Sequence, residues 1–138
     1  MKDRCAGVLI KDNTLLTFWR YRDGREYYVL PGGTLEEGET LEEGLKREMI
    51  EEMNLTVVVG KKLFEYYNDF EHPRTDHYFL ITEFTGEIKL GGPELMHQSR
   101  ENIYRPEWIK LDKLTEINLQ PEYTKMQLFN RLSDLIVA

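Results

Sequence analysis

From residue 40 onward the apolar residues change their spacing. Leu41, Leu45, Met49 and Met53 recur at every fourth position, the interval that stacks side chains on one face of an α-helix. Thr40, with Glu43 three residues on, has the pattern of a capping box, in which each side chain satisfies a backbone N–H of the other residue. Together these predict a helix over residues 40–53.

The chain on either side reads as strands. Residues 4–10 and 14–21 are rich in β-branched, aliphatic and aromatic residues and are separated by Lys11-Asp12-Asn13, so they predict two strands. Asp23-Gly24 supplies a tight hairpin turn, because glycine accepts positive φ. Residues 27–30 predict a short third strand, stopped by Pro31-Gly32-Gly33. Strand composition returns over 55–67 and 76–85, followed by a loop at Gly91-Gly92-Pro93, a last strand over 107–111 and a helical turn over 112–117. Pro121 opens a terminal helix, with Tyr123, Met126, Phe129, Leu132 and Ile136 at helical spacing. The order strands, helix, strands, helix predicts an α/β fold: a mixed β-sheet with helices against both faces.

The length of 138 residues suits one domain over 1–138, large enough to bury a core without staples. Cys5, the single cysteine, excludes an internal disulfide and is expected buried on the first strand. No segment approaches the roughly 18 apolar residues of a membrane span. The run Ala6-Gly7-Val8-Leu9-Ile10 is too short for a signal-peptide core, so a cytoplasmic location is expected, with no membrane partner. A net charge of −7 argues against binding nucleic acid polymers, which need a basic footprint. An acidic chain can still hold phosphates if it first captures a metal.

The predicted helix carries Glu48, Glu51 and Glu52 beside Arg47. Carboxylates three and four apart share a face and repel by a few tenths, about 0.2–0.5 kcal/mol per pair. A merely solvated acidic face would lie opposite the apolar stripe. Projection at about 100° per residue instead places Glu52 between Leu41 and Leu45, with Glu48 just beyond that edge and Glu51 a little further round. Carboxylates that border a core are costly unless paired or bound to metal. Gly44, one turn before Glu48, weakens the helix by about 1 kcal/mol against alanine, and its missing side chain lets the 33–39 loop pack close. Two carboxylates one turn apart, with a carbonyl from the glycine turn, make an open site for Mg²⁺, which takes oxygen ligands and keeps waters and phosphates in its shell. The chemistry this implies is metal-assisted hydrolysis of a phosphoanhydride.

Gly33, Glu39 and the run Arg47-Glu48-Met49-Ile50-Glu51-Glu52-Met53-Asn54-Leu55 resemble the signature of the Nudix hydrolase family, G-x5-E-x7-R-E-U-x-E-E-x-G-U, where U is a bulky aliphatic residue. Every fixed polar position is filled. The one departure is Asn54 in place of glycine, and asparagine is the next best residue for a left-handed helix stop. The resemblance implies the Nudix α/β/α sandwich and a MutT-like pyrophosphohydrolase that cleaves a nucleoside diphosphate linked to another moiety. It implies Mg²⁺ (or Mn²⁺) held by Glu48 and Glu52, with Glu51 as further ligand or partner and the Gly32 carbonyl joining them. Gly33, Glu39 and Arg47 would support the loop and helix. Some members place a general base or extra ligand on a loop before a strand that carries tryptophan. Trp108 marks that strand here, making Glu101 the first candidate and Glu94 the next.

Substrate recognition is less legible. Arg20, Arg22 and Arg25 cluster near the Asp23-Gly24 turn and read either as phosphate contacts or as a solvated hairpin tip. Asn118 and Gln120 stand where some relatives read a base edge. Phe18, Tyr28, Tyr66, Tyr78 and Tyr104 are base-stacking candidates, although strand aromatics are usually core. His72, His77 and His97 lack metal-ligand spacing. No proline falls at the spacing expected of the ADP-ribose-cleaving branch, and no tyrosine where dinucleoside polyphosphate hydrolases carry theirs. A nucleoside triphosphate is therefore the expected small-molecule partner. The alternatives are a Nudix-fold sensing module that binds a nucleotide without turnover, an ADP-ribose or dinucleoside polyphosphate hydrolase, and a structural domain with an accidental acidic helix. Oligomeric state is left open.

Overall fold

The computed structural model describes residues 3–68, 73–89 and 102–137. Its strands are β1 (Arg4–Lys11), β2 (Thr14–Arg22), β3 (Arg25–Val29), β4 (Gly32–Thr34), β5 (Thr56–Asn68), β6 (Arg74–Thr85) and β7 (Asn102–Lys110). Helix α1 (Leu41–Met53) follows β4; a 3-10 turn (Leu111–Glu116) and helix α2 (Glu122–Val137) close the chain.

The sheet runs β3-β2-β1-β6-β5, with β4 paired to β1 and β7 to β2. Among the described strands β1 and β6 pair in parallel, from Arg4↔Asp76 to Leu9↔Ile81, and the other strand pairs are antiparallel. This is the expected mixed sheet. Strand β1 alternates: Cys5 and Leu9 face a core with Leu45, Met49 and Met53 of α1, while Ala6 and Val8 face a second core with Leu114 of the 3-10 turn and Leu128 of α2. Helices therefore cover both faces. Leu45, Met49 and Met53 are fully buried, each contributing about 1.5–3 kcal/mol. Among the described residues no helix is long and apolar enough to cross a membrane.

Three local expectations are corrected. Gly32 and Gly33 do more than stop β3: with Thr34 they form β4, set against β1 through Cys5↔Gly33 and Ala6↔Gly32. A Cβ on Gly32 would lie 1.9 Å from the Cys5 carbonyl oxygen, so only glycine lets these backbones approach. The strand expected at 107–111 begins at Asn102 and pairs with β2 along its whole length, with Pro106 opposite Phe18. Proline is tolerated there because β7 is paired on one side only.

The face of α2 is also not the one its apolar spacing suggested. Met126 and Phe129 are 57% and 54% exposed, and the buried positions are Thr124, Leu128 and Leu135. Thr124 Oγ1 donates to the Tyr78 hydroxyl oxygen at 2.6 Å inside the protein. That buried bond turns a polar residue inward, which a count of apolar positions does not register. The side chains of Leu132 and Ile136 lie outside the described residues.

Candidate active site

The acidic cluster is organised by one cation. Thr40 and Glu43 close the capping box at the start of α1, and Glu43 is held below the usual carboxylate range by the bonds to Thr40. Two turns on, Arg47 reaches back along the helix. Its Nε donates to Glu39 Oε2 at 2.7 Å and its Nη2 to Glu39 Oε1 at 3.0 Å, a bidentate pair. Nη2 also donates to the Thr34 carbonyl at 3.1 Å. Nη1 donates to Glu48 Oε1 at 2.9 Å and to Glu51 Oε2 at 3.0 Å. One guanidinium thus fastens β4, the following loop and two helix carboxylates to one another.

These bonds set the electrostatics. Hydrogen bonding to Glu39, ahead of the other causes, raises the Arg47 pKa, so the guanidinium stays charged. The same bonds, with the Glu36 N–H donating to Glu39 Oε1 at 2.8 Å, hold the Glu39 carboxyl below its ordinary value. Glu39 and Arg47 thus tie the loop before α1 to the helix.

Glycine shapes the other side. A Cβ built on Gly33 would sit 2.4 Å from the Glu48 carboxyl carbon, so the Glu48 carboxylate lies directly over bare β4 backbone. A Cβ on Gly44 would meet Leu35 at 2.2 Å; its absence admits the loop against α1, as its position in the helix suggested. Glu52 is 6% exposed, at the edge of the core. The side chain of Glu48 is 14% exposed and that of Glu51 49%. Carboxylates thus run from the core boundary to solvent beside the glycine strand. Among the described residues no three carboxylate, imidazole or thiolate groups enclose an ion by themselves. The donor set nonetheless fits Mg²⁺: oxygen ligands on one side and an open side for water and phosphate.

At the helix end Asn54 adopts φ 61 and ψ 33. It meets the left-handed geometry that glycine would supply, and its Nδ2 also donates to the Glu87 carbonyl at 3.0 Å. Cys5 is buried as expected, and burial first, then Asp3, pushes its thiol up to about 11.

The remaining candidates are spread out. Arg20 is engaged with aromatic side chains: Nη2 donates to the Tyr104 hydroxyl at 2.6 Å, and its guanidinium carbon stands 4.2 Å from the Tyr104 ring centroid and 5.4 Å from that of Tyr27. Asn118 donates to the Glu26 carbonyl at 3.3 Å and accepts from Gln120 Nε2 at 2.5 Å. Both are exposed, on a segment bridged to β3 at Tyr28↔Leu119. Glu101 and Glu94 lie outside the described residues.

Arg74 and Asp76, joined in an ion pair at 2.9 Å, escaped the sequence reading. A cleft of about 240 Å³ is lined by Arg4, Leu30, Arg74, Asp76, Gln120 and Pro121, among others. Asp76 is 5% exposed there. Its one sequence signal is an acid at the head of an otherwise apolar strand run, Tyr78 to Ile81.

Known proteins resemble this chain over most of its length. The NUDIX domain family matches residues 1–128. The chain is 32% identical over 117 residues to the 8-oxo-dGTP diphosphatase of Buchnera aphidicola, covering 81% of this chain and 79% of that protein. It is 35% identical over 89 residues to the ADP-ribose pyrophosphatase of Methanocaldococcus jannaschii, covering 62% and 53%. The chain spans about half the length of several curated relatives it matches. Its fold superposes on the crystal structure of the MutT protein from Methanosarcina mazei with a TM-score of 0.74, at 22% identity, over 96% of this chain and 94% of that one.

Proposed function

Because this chain belongs to the Nudix hydrolase family, we propose that it is a Mg²⁺-dependent pyrophosphohydrolase that cleaves a phosphoanhydride bond of a nucleoside diphosphate linked to another moiety, with a nucleoside triphosphate as its substrate. The observation that carries the reading is the Arg47 hub. It aligns Glu48 and Glu51 beside the glycine strand, with Glu52 buried next to them.

In this reading Glu48, Glu51, Glu52 and the Gly32 carbonyl hold the ion. A divalent ion bound there supplies charge neutralisation to the phosphates and lowers the pKa of a water. The chain's own residues do the rest. Arg47 aims Glu48 and Glu51, because its fork is occupied by carboxylates on three sides. Gly33 keeps the approach to Glu48 clear of side chain. Glu101, which precedes the strand of Trp108 in sequence, is proposed as the base that takes the water's proton.

A nucleoside triphosphate fits the 8-oxo-dGTP diphosphatase among the relatives, and the chain lacks the proline spacing of the ADP-ribose branch. The test is product analysis by mass spectrometry after incubation with nucleoside triphosphates, ADP-ribose and dinucleoside polyphosphates in millimolar Mg²⁺. A nucleoside monophosphate released only with the metal is expected. A protein that binds these compounds but releases nothing would be a sensor, and the reading would fail.

A further inference from the structure

Building on that hydrolase reading, we propose that Leu35 is a positioning residue: seated over Gly44, it holds Glu39 and, through Arg47, sets the orientation of the carboxylates that take the ion. Neither Leu35 nor Gly44 is a fixed position of the family signature. Residue 35 falls in the five-residue gap between Gly33 and Glu39, and residue 44 in the seven-residue gap between Glu39 and Arg47. The seat is thus a matter of this chain's own packing.

Leu35 stands in the loop between β4 and α1, and its N–H donates to the Asp3 carbonyl at 3.0 Å. Its side chain packs against the core on the α1 face. A Cβ on Gly44 would lie 2.2 Å from a Leu35 methyl and 3.3 Å from Glu39 Oε1. Both side chains therefore lie against the one turn of α1 that has bare backbone. The turn between them brings Glu39 in beside Leu35. The Glu39 N–H donates to the Glu36 carbonyl at 3.2 Å, and the Glu36 N–H returns to Glu39 Oε1 at 2.8 Å.

Beyond that seat the connections are polar. Glu39 gives both carboxylate oxygens to Arg47, and Arg47 carries on to Glu48 and Glu51. The Glu39–Arg47 pair keeps some contact with water, and ion pairs open to water hold a geometry weakly by themselves. Close fit between apolar shapes is what selects a single arrangement. Leu35 in the glycine gap thus decides where Glu39 stands, and the guanidinium passes that position to Glu48 and Glu51. A methyl on residue 44 would displace Leu35 and press on Glu39 Oε1, which is already fixed by two hydrogen bonds.

The test is calorimetric binding of Mn²⁺ to the folded protein without nucleotide, paired with thermal melts. Leu35→Ala empties the seat and should weaken Mn²⁺ binding about tenfold, the lower end of the loss for residues that orient metal ligands. Leu35→Met keeps the volume and should recover most of that affinity. Gly44→Ala separates the seat from the helix. Alanine is the better helix former, so α1 by itself gains, yet Mn²⁺ affinity should fall by a similar factor. A purely structural role gives another pattern, in which melting temperatures move while the folded variants bind Mn²⁺ as the wild type does. That pattern, or wild-type affinity in either Leu35→Ala or Gly44→Ala, overturns the proposal. Should Leu35→Ala fail to fold, Gly44→Ala decides alone. Failure of the hydrolase reading looks different: the wild type binds Mn²⁺ but releases no product from any nucleotide, and the role of Leu35 is still judged on the ion. A wild type that binds no divalent ion sinks both.

Discussion

The two faces of this sheet treat their charges in opposite ways. On the α1 face Arg47 spends its N–H groups on Glu39, Glu48, Glu51 and the Thr34 carbonyl. On the α2 face Arg74 Nε meets Asp76 Oδ1 at 2.9 Å in a single ion pair. A completed network fixes geometry, which is what positioning carboxylates for chemistry requires. The Arg74–Asp76 contact ties together two residues of one strand, and its arginine remains 36% exposed. The contrast separates a network that holds several elements in register from an isolated ion pair on one strand.

The largest way to break the contrast is to touch the face that holds its shape. Glu52→Gln keeps volume and removes only charge, so kcat with Mg²⁺ should fall by several orders of magnitude while circular dichroism and the melting temperature stay close to wild type. Near-normal turnover would exclude Glu52 as a ligand. Arg47→Lys keeps a cation but loses the planar fork. Activity should fall by about 10- to 100-fold, as for groups that orient metal ligands, and full activity in steady-state assays would mean the hub is dispensable.

Acid pH sharpens the same comparison. Glu39 is depressed in the folded protein, chiefly by the Arg47 hydrogen bonds. Its stabilising contribution is therefore complete above its ordinary value of 4.5 and disappears as pH falls through the lower folded value. The melting temperature should drop across that acid window, and Glu39→Gln should flatten the drop. An identical slope in the variant would show that the fork does not carry it. Asn54→Gly is expected to change least: glycine takes the same left-handed geometry, so kcat should stay within about twofold of wild type. A large change in rate would mean that the family's glycine position has a chemical role.

Legibility followed sequence distance. The α1 box spans 23 residues, and helix spacing alone put Glu52 at the core edge, where the structure has it 6% exposed. The capping box and the loop entry over Gly44 are equally local. What escaped was set by partners far along the chain. Strand β4 exists because Cys5 and Ala6 approach Gly33 and Gly32. The buried face of α2 is decided by Thr124 meeting Tyr78, 46 residues away. Asp76 is drawn into the cleft beside Arg4 by the parallel register of β1 and β6, which no local pattern encodes.

Asn54 fills two posts. Beyond ending α1, its amide is tethered to the Glu87 carbonyl, and the Lys89 N–H is tethered to the Met53 carbonyl at 3.0 Å. The stretch leading from β6 toward residues 90–101 is thereby moored to the far end of the carboxylate helix. Glycine could keep the bend but not the mooring line. Swapping in the family's usual residue would thus leave α1 as it is and release only the side-chain tether to Glu87.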